Sequence, residues 1–161
     1  TTMRLLMSLL LLFLCTASPV SAGPFEDGDA AYSRSDYATA MRLLRPLADQ
    51  GNGRAQILVG MMHELGQGVA KNGAAAAEWY RKAADKGWPS AQGNLGALYA
   101  QGLGVPQDYV QAYKWWTLAA ARFSSSERRD ITLKSRSEII PKMTQAQIAE
   151  AESQARDWKP R

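Results

Sequence analysis

The strongest constraint on this chain is an internal repeat between positions 55 and 122. Gly96 follows Gly60 by 36 residues, and other small or aromatic residues recur at the same offset. The further matched positions are Ala55 with Ala91, Gly66 and Gly68 with Gly102 and Gly104, Ala76 with Ala112, and Trp79 with Trp115. A fixed period of roughly 20–50 residues is typical of repeat proteins, whose units bury their apolar faces only against neighbouring units.

Each repeat predicts two helices joined by a glycine turn. Apolar residues recur at helical spacing on both sides of the Gly-x-Gly-Val segments, whose glycines supply backbone angles that other residues disfavour. Asn72 and Asp108 stand where each second helix begins and are good N-cap residues. The predicted helices span about 24–34, 36–47, 54–65, 72–86, 90–101 and 108–123. We therefore expect an all-α chain of antiparallel helix pairs.

Small residues at fixed positions indicate close helix packing. Two helices approach to about 8–10 Å only where one side of the contact is small. Gly60 and Gly96, with Ala76 and Ala112, supply that side. Trp79 and Trp115 are expected to fill the space beside them as core residues.

Beyond Phe123 the repeat stops, and two further helices are expected to cap the array. Ser124 with Glu127 predicts a capping box for a helix over about 125–140, and Thr144 with Gln147 predicts a second box. The helix after Thr144 carries one apolar stripe, formed by Ile148, Ala151, Ala155 and Trp158. A terminal unit of a repeat array needs a polar outer face, which this pair provides.

The first residues resemble an export signal. Arg4 precedes an apolar run over Leu5–Leu14, which is too short for a membrane span of about 20 residues. Small residues then lead to Ala22, after which we expect cleavage. A lipid-modified Cys15 is an alternative, although Leu14 occupies the position where such signals carry a small residue. Cleavage after Ala22 would leave a chain without cysteine, located in the periplasm or secreted.

The composition argues against a disordered protein and against a nucleic-acid-binding protein. A chain of 161 residues with 46% hydrophobic and 21% charged residues is globular. Its formal charge of +4 is small and its basic residues are scattered, whereas a nucleic-acid-binding face needs them clustered. We expect no nucleic-acid partner.

The sequence offers little for catalysis. His63 is the single histidine, and the single cysteine lies in the predicted signal, so histidine or thiolate metal sites are not expected. The Gly-x-Gly turns lack the Lys-Ser/Thr pair of a phosphate-binding loop. No carboxylate pair is spaced for acid–base work. We predict no catalytic residue, no metal and no cofactor, and a structural role for His63.

Together these positions resemble the Sel1-like repeat family, a branch of the tetratricopeptide superfamily. The third repeat carries the pattern most fully, at Ala91, Leu95, Gly96, Tyr99, Gly102, Gly104, Val105, Asp108, Ala112, Trp115, Ala119 and Ala120. The second repeat departs from it at Val59, His63 and Asn72. The resemblance implies a right-handed α-solenoid of antiparallel helix pairs, with C-terminal capping helices. It also implies an adaptor or scaffold role without catalytic residues.

The resulting organisation has three parts. Residues 1–22 are the signal peptide, and residues 23–123 are the repeat solenoid. Residues 124–161 are the capping helices. Within the solenoid, a degenerate first repeat spans 24–53 and is followed by full repeats over 54–89 and 90–123.

The resemblance also locates a candidate binding groove. In helix-pair solenoids the first helix of each pair lines the concave side. The residues expected there are Arg54, Ile57, Met61, Glu64, Ser90, Gly93, Asn94, Ala97 and Ala100. Ile57 and Met61 could receive an apolar side chain, and Asn94 could hydrogen-bond a peptide backbone. The alternative is that these residues are only the solvated inner wall of a short solenoid.

We therefore predict a protein-binding module of the bacterial cell envelope whose partner is a short peptide or another protein. The family includes envelope regulators of sensor kinases and secreted factors that contact host proteins. Two alternatives remain. Some secreted, cysteine-rich relatives bind or slowly hydrolyse β-lactams, but they rely on a disulfide in each repeat. The other alternative is a purely structural solenoid.

Overall fold

The computed structural model describes residues 23–161, which form eight α-helices and no strand. The predicted signal segment, residues 1–22, lies outside the described residues. The helices are α1 (Pro24–Ser33), α2 (Tyr37–Asp49), α3 (Gly53–Leu65), α4 (Gly73–Ala84), α5 (Pro89–Gln101), α6 (Tyr109–Arg122), α7 (Ser126–Ile139) and α8 (Gln145–Asp157). A short 3-10 turn, Ile140–Lys142, follows α7. None of the helices in residues 23–161 is long and apolar enough to cross a membrane.

From α1 to α6, each helix packs against the helices before and after it along the chain. This order produces three antiparallel pairs stacked in sequence, α1 with α2, α3 with α4, and α5 with α6. Helices α7 and α8 both pack on α6. The predicted all-α solenoid of helix pairs is confirmed.

The turns between paired helices follow the predicted glycine and cap chemistry. Gly66 and Gly102 end α3 and α5 in the left-handed conformation, with φ of 70° and 68°. The Asn72 side chain accepts a hydrogen bond from the Ala75 amide at 3.0 Å, and Asp108 does the same one repeat later. Each cap satisfies an amide that the first turn of its helix leaves unpaired. The repeat therefore restarts a helix at the same point in each unit.

An aromatic ring lies against each predicted helix-contact glycine. A Cβ atom at Gly60 would be 2.7 Å from the Tyr80 ring, and one at Gly96 would be 2.8 Å from the Trp116 ring. The Trp116 indole also donates a hydrogen bond to the Gly93 carbonyl at 3.0 Å. The rings therefore occupy space that only glycine leaves open between the helices of a pair.

The predicted partners of these glycines, Trp79 and Trp115, lie elsewhere. Successive helical residues point about 100° apart, so the residue after each tryptophan faces the paired helix instead. Trp79 is buried in a cluster with residues of α1, α2 and α3. Trp115 is buried in a cluster with residues of α4 and α5, and it meets the Trp158 ring edge-on, with 6.4 Å between centroids. Both tryptophans are core residues, as expected, but they join one pair to its neighbour.

Two buried glutamines tie successive pairs together. The Gln56 amide at the start of α3 donates to the Ala48 carbonyl of α2 at 3.0 Å. One repeat later, Gln92 on α5 donates to the Ala84 carbonyl of α4 at 3.1 Å. Both glutamines are buried, at 3% and 0% exposure. Each glutamine is a second donor to a carbonyl in the last turn of the preceding helix, since Ala48 also accepts from the Gly51 amide and Ala84 from the Gly87 amide.

The predicted capping box at the start of α7 is wrong by one residue. Ser125, not Ser124, is the N-cap, and its hydroxyl accepts from the Arg128 amide. This shift moves Glu127 to the second helical position, where it cannot complete the box.

Helix α8 begins and packs as predicted. Thr144 and Gln147 form the reciprocal capping box. Ala151 and Ala155 are buried, and the Trp158 ring makes an edge-to-face contact with the Trp115 ring. The apolar stripe of α8 therefore faces the solenoid.

Candidate functional site

A cavity of about 570 Å³ opens on the face formed by the first helix of each pair. It brings together five of the predicted groove residues. Arg54, Ile57 and Met61 come from α3, and Ser90 and Asn94 come from α5. Ile57 and Met61 are one helical turn apart, as are Ser90 and Asn94, so each helix presents one row of side chains to the cavity.

Five further lining residues come from positions that the sequence reasoning missed. These are Phe25, Asp29, Leu58, Trp88 and Arg128. They show that α1 and the start of α7 continue the face formed by α3 and α5.

A second cavity of about 230 Å³ adjoins the first toward α7. Ser90, Asn94 and Arg128 line both cavities, and Gly93, a predicted groove residue, lines the second. The other lining residues are Phe123, Ile131, Thr132 and Ser135. The two adjoining cavities are called the inner groove below.

Three predicted groove residues lie outside the inner groove. Glu64 lines a separate cavity of about 200 Å³ beside the turns of the second and third repeats. Ala97 and Ala100 are half-buried against the cluster that contains Trp116. These two alanines therefore serve helix packing, since the ring opposite Gly96 occupies that side of α5.

The floor of the larger cavity is apolar. Phe25 is buried, while Ile57, Leu58 and Met61 are half-buried and therefore retain accessible surface. Trp88 is 38% exposed and forms a wall, with its indole against Gly53. An apolar side chain placed here would cover surface that is otherwise in contact with water.

Charged groups stand around this apolar floor. The Arg54 guanidinium lies 4.0 Å from the Phe25 ring centroid and 3.9 Å from a Glu26 carboxylate oxygen. At the α7 end, Arg128 Nη1 donates to the Ser90 hydroxyl at 3.3 Å. Asp29 is the carboxylate that lines the larger cavity, at the α1 end.

The Tyr80 hydroxyl connects Glu64 to the inner groove. It donates to Glu64 Oε2 at 2.6 Å and also interacts with the Asn94 side chain. Burial raises the pKa of Tyr80 well above its ordinary value, and the hydrogen bond to Glu64 raises it further. Tyr80 therefore stays protonated and donates to Glu64, and its hydroxyl lies close to Asn94 at the edge of the groove.

Three of the five missed residues lie outside the full repeats. Phe25 and Asp29 belong to the degenerate first repeat, where no period marks the inner face, and Arg128 follows the end of the period. Trp88 could have been recognised from the sequence, because it lies within the second repeat and directly precedes α5 as its N-cap residue. A tryptophan at a helix start has no capping function, so it favours a packing or binding role.

The inner groove offers shape, apolar surface and hydrogen-bonding groups rather than reactive ones. In residues 23–161, no group of three or more His, Cys, Asp or Glu side chains could hold a metal ion. The half-buried Ile57 and Met61 lie beside Asn94 and Ser90, which can bind polar backbone groups. Such a combination is typical of surfaces that bind a segment of another chain.

Comparison with protein families finds three successive matches to the Sel1 repeat, over residues 25–52, 53–88 and 89–122. The three matched segments contain the helix pairs α1/α2, α3/α4 and α5/α6. No curated protein matches the chain significantly.

Two solved structures are similar over most of the chain. A protective antigen of uropathogenic Escherichia coli with an SLR fold is 33% identical over 84% of this chain, with a TM-score of 0.72. A Sel1 repeat protein from Oxalobacter formigenes is 33% identical over 71%, with a TM-score of 0.64. The present chain spans only 29% and 45% of those two proteins.

Proposed function

Because the chain belongs to the Sel1 repeat family, we propose that it binds a partner protein through the inner groove. Sel1 repeat proteins generally mediate protein–protein interactions, and their fold is typically a scaffold without catalytic activity. We propose binding without catalysis for this chain as well.

The observation that carries this proposal is the composition of the groove. Phe25, Ile57 and Met61 form an apolar floor, and Ser90 and Asn94 add polar groups at its edge. Apolar burial supplies most of the affinity in such sites, while a few polar groups fix the orientation of the ligand. A partner would therefore bind with one side chain on the floor and its backbone near α5.

We further propose that the protein acts outside the cytoplasm, in the periplasm or after secretion. The support is the apolar run Leu5–Leu14 followed by small residues up to Ala22. N-terminal sequencing of the protein recovered from the cell envelope is expected to begin at Gly23. An intact N-terminus on that protein would contradict cleavage.

The groove is tested by affinity capture with the full chain, tagged after Arg161. The wild type is compared with a Met61→Glu, Asn94→Ala double variant, which puts a charge on the apolar floor. The matched control is Ala38→Glu, which adds the same charge on an exposed position of α2. Circular dichroism first establishes that the three proteins have equal helix content.

The expected partner is retained from envelope extract by the wild type and by the control, and is lost from the double variant. Equal retention by all three proteins would move binding to another face. If none of them retains a protein, the binding function itself is wrong. A chromogenic β-lactam assay on the same preparations is expected to show no turnover.

A further inference from the structure

The charge of the inner groove is unevenly distributed along its length. Asp29 lies at the α1 end, Arg54 follows on α3, and Arg128 lies at the α7 end. The smaller cavity is lined by Arg128 and by no other charged side chain among residues 23–161. An acidic ligand group is therefore repelled at one end of the groove and attracted at the other.

Two arginines line the inner groove, and Arg128 is the one of the two that has no ion pair within residues 23–161. The ion pairs within residues 23–161 join Arg45 to Asp49, Arg54 to Glu26 and Arg129 to Asp130. Arg128 takes part in none of them, and its guanidinium donates to the neutral Ser90 hydroxyl. A guanidinium has five N–H donors, so most of its hydrogen-bonding capacity remains available to a ligand.

The position of Arg128 allows its free N–H donors to reach a ligand in the groove. Arg128 lines both cavities, so its guanidinium lies between the apolar floor and the α7 end of the groove. The bond to Ser90 holds the side chain over the start of α5. An arginine that is already oriented loses less side-chain entropy when it pairs with a carboxylate.

We propose that the inner groove takes a short segment of another protein that carries an acidic and an apolar side chain. This inference rests on the protein-binding function proposed above and specifies its ligand. The carboxylate pairs with Arg128, and the apolar side chain packs against Ile57 and Met61. Ile57, Met61 and Arg128 line the same cavity, so one short segment can reach all three.

The experiment is a selection from a display library of random dodecapeptides. It is run in parallel on the full-length wild type, Arg128→Glu, Arg129→Glu and Met61→Glu. Arg129→Glu is the matched control, since it makes the same charge change on the next residue of α7, outside the inner groove. Glutamate suits both positions because each lies in the first turn of α7, where negative charge is favourable.

The wild type and Arg129→Glu are expected to enrich peptides with Asp or Glu near a large apolar residue. Arg128→Glu should lose this preference and enrich Lys or Arg at the same position. For the best wild-type peptide, replacing its acid by the amide should weaken binding by about fivefold, and added salt should reduce that difference. Met61→Glu should weaken binding of every selected peptide.

Other outcomes would overturn the inference, and they show whether the function on which it rests also fails. Selected peptides that need Met61 but show no acidic preference would overturn the ligand assignment and leave groove binding intact. If no peptide is enriched, or if the enriched peptides bind Met61→Glu as well as the wild type, both proposals are wrong. A wild-type dimer in sedimentation that Arg128→Glu dissociates would instead assign the groove to a second copy of this chain and overturn the inference.

Discussion

Helices α3 to α6 and helices α7 and α8 are attached to the molecule by different means. In the pairs α3/α4 and α5/α6 a glycine on the first helix faces a ring on the second, Gly60 with Tyr80 and Gly96 with Trp116. No glycine follows Gly104 in the sequence, so α7 and α8 have no such contact. They each pack on α6, and α8 is held there partly by the Trp158 ring.

The two kinds of packing serve different purposes in a repeat array. Inside the array, glycine lets two helices approach a shared ring, and the same contact can be copied from unit to unit. At its end, side chains such as Ala151 and Ala155 only need to cover the exposed flank of α6. The interior is therefore expected to be less tolerant of substitution than the end.

The largest difference in stability is expected between two tryptophan variants, Trp116→Ala in the repeat interior and Trp158→Ala at the C-terminal end. Trp116→Ala removes a buried ring and its hydrogen bond to Gly93, and should lower the free energy of unfolding by about 3–5 kcal/mol. Trp158→Ala removes a half-buried ring, for which we expect about 1–2 kcal/mol. Urea unfolding followed by circular dichroism measures both. Equal losses would abolish the distinction between interior and end.

A smaller effect should follow from adding one methyl group at two positions of α5. In Gly96→Ala the new Cβ would lie 2.8 Å from the Trp116 ring, whereas in Gly93→Ala it would meet nothing within 4 Å. We expect Gly96→Ala to be destabilised by about 1–2 kcal/mol through overpacking. Gly93→Ala should be stabilised by about 0.5–1 kcal/mol, because alanine favours the helix. The same unfolding measurement applies, and stabilisation of both variants would show that the ring does not require glycine.

The smallest effect concerns His63, which replaces the tyrosine found at position 99 of the next repeat. Burial lowers the pKa of His63, and the positive charge of Arg45 lowers it further. The unfolded chain therefore takes up this proton first as the pH falls below about 6.5, so the folded state loses stability between that pH and the lower folded pKa.

The test compares wild type with His63→Gln, which does not titrate, at pH 7.5 and pH 5. The free energy of unfolding should fall more for the wild type than for the variant over this interval. An equal fall in both proteins would mean that other groups account for the whole pH dependence.

Much of the interior could be predicted from the sequence because its contacts repeat. The offset that aligns Gly66 with Gly102 also aligns the caps Asn72 and Asp108, and all four positions have the expected role. The ring contacts could not be assigned in this way. Trp79 and Tyr80 are adjacent and both buried, and periodicity alone does not show which of them faces Gly60.

The candidate site was predictable to the extent that it lies within the full repeats. Ile57, Met61 and Asn94 line the inner groove as expected from their places on the first helices. Arg128 was not predictable, because no repeat indicates which of the two C-terminal helices continues the inner face. Glu64 lines a separate cavity, where it accepts the hydrogen bond of Tyr80, and periodicity alone does not show which aromatic residue faces α3.

The paired glutamine bonds have a consequence for how such chains lengthen during evolution. A segment from Gln56 to residue 91 contains the donor that joins it to the preceding unit and, at Ala84, the acceptor for the following one. A gene duplication of that segment would reproduce both halves of the junction in the correct order. The array could therefore gain a unit without any new complementary surface having to arise by mutation.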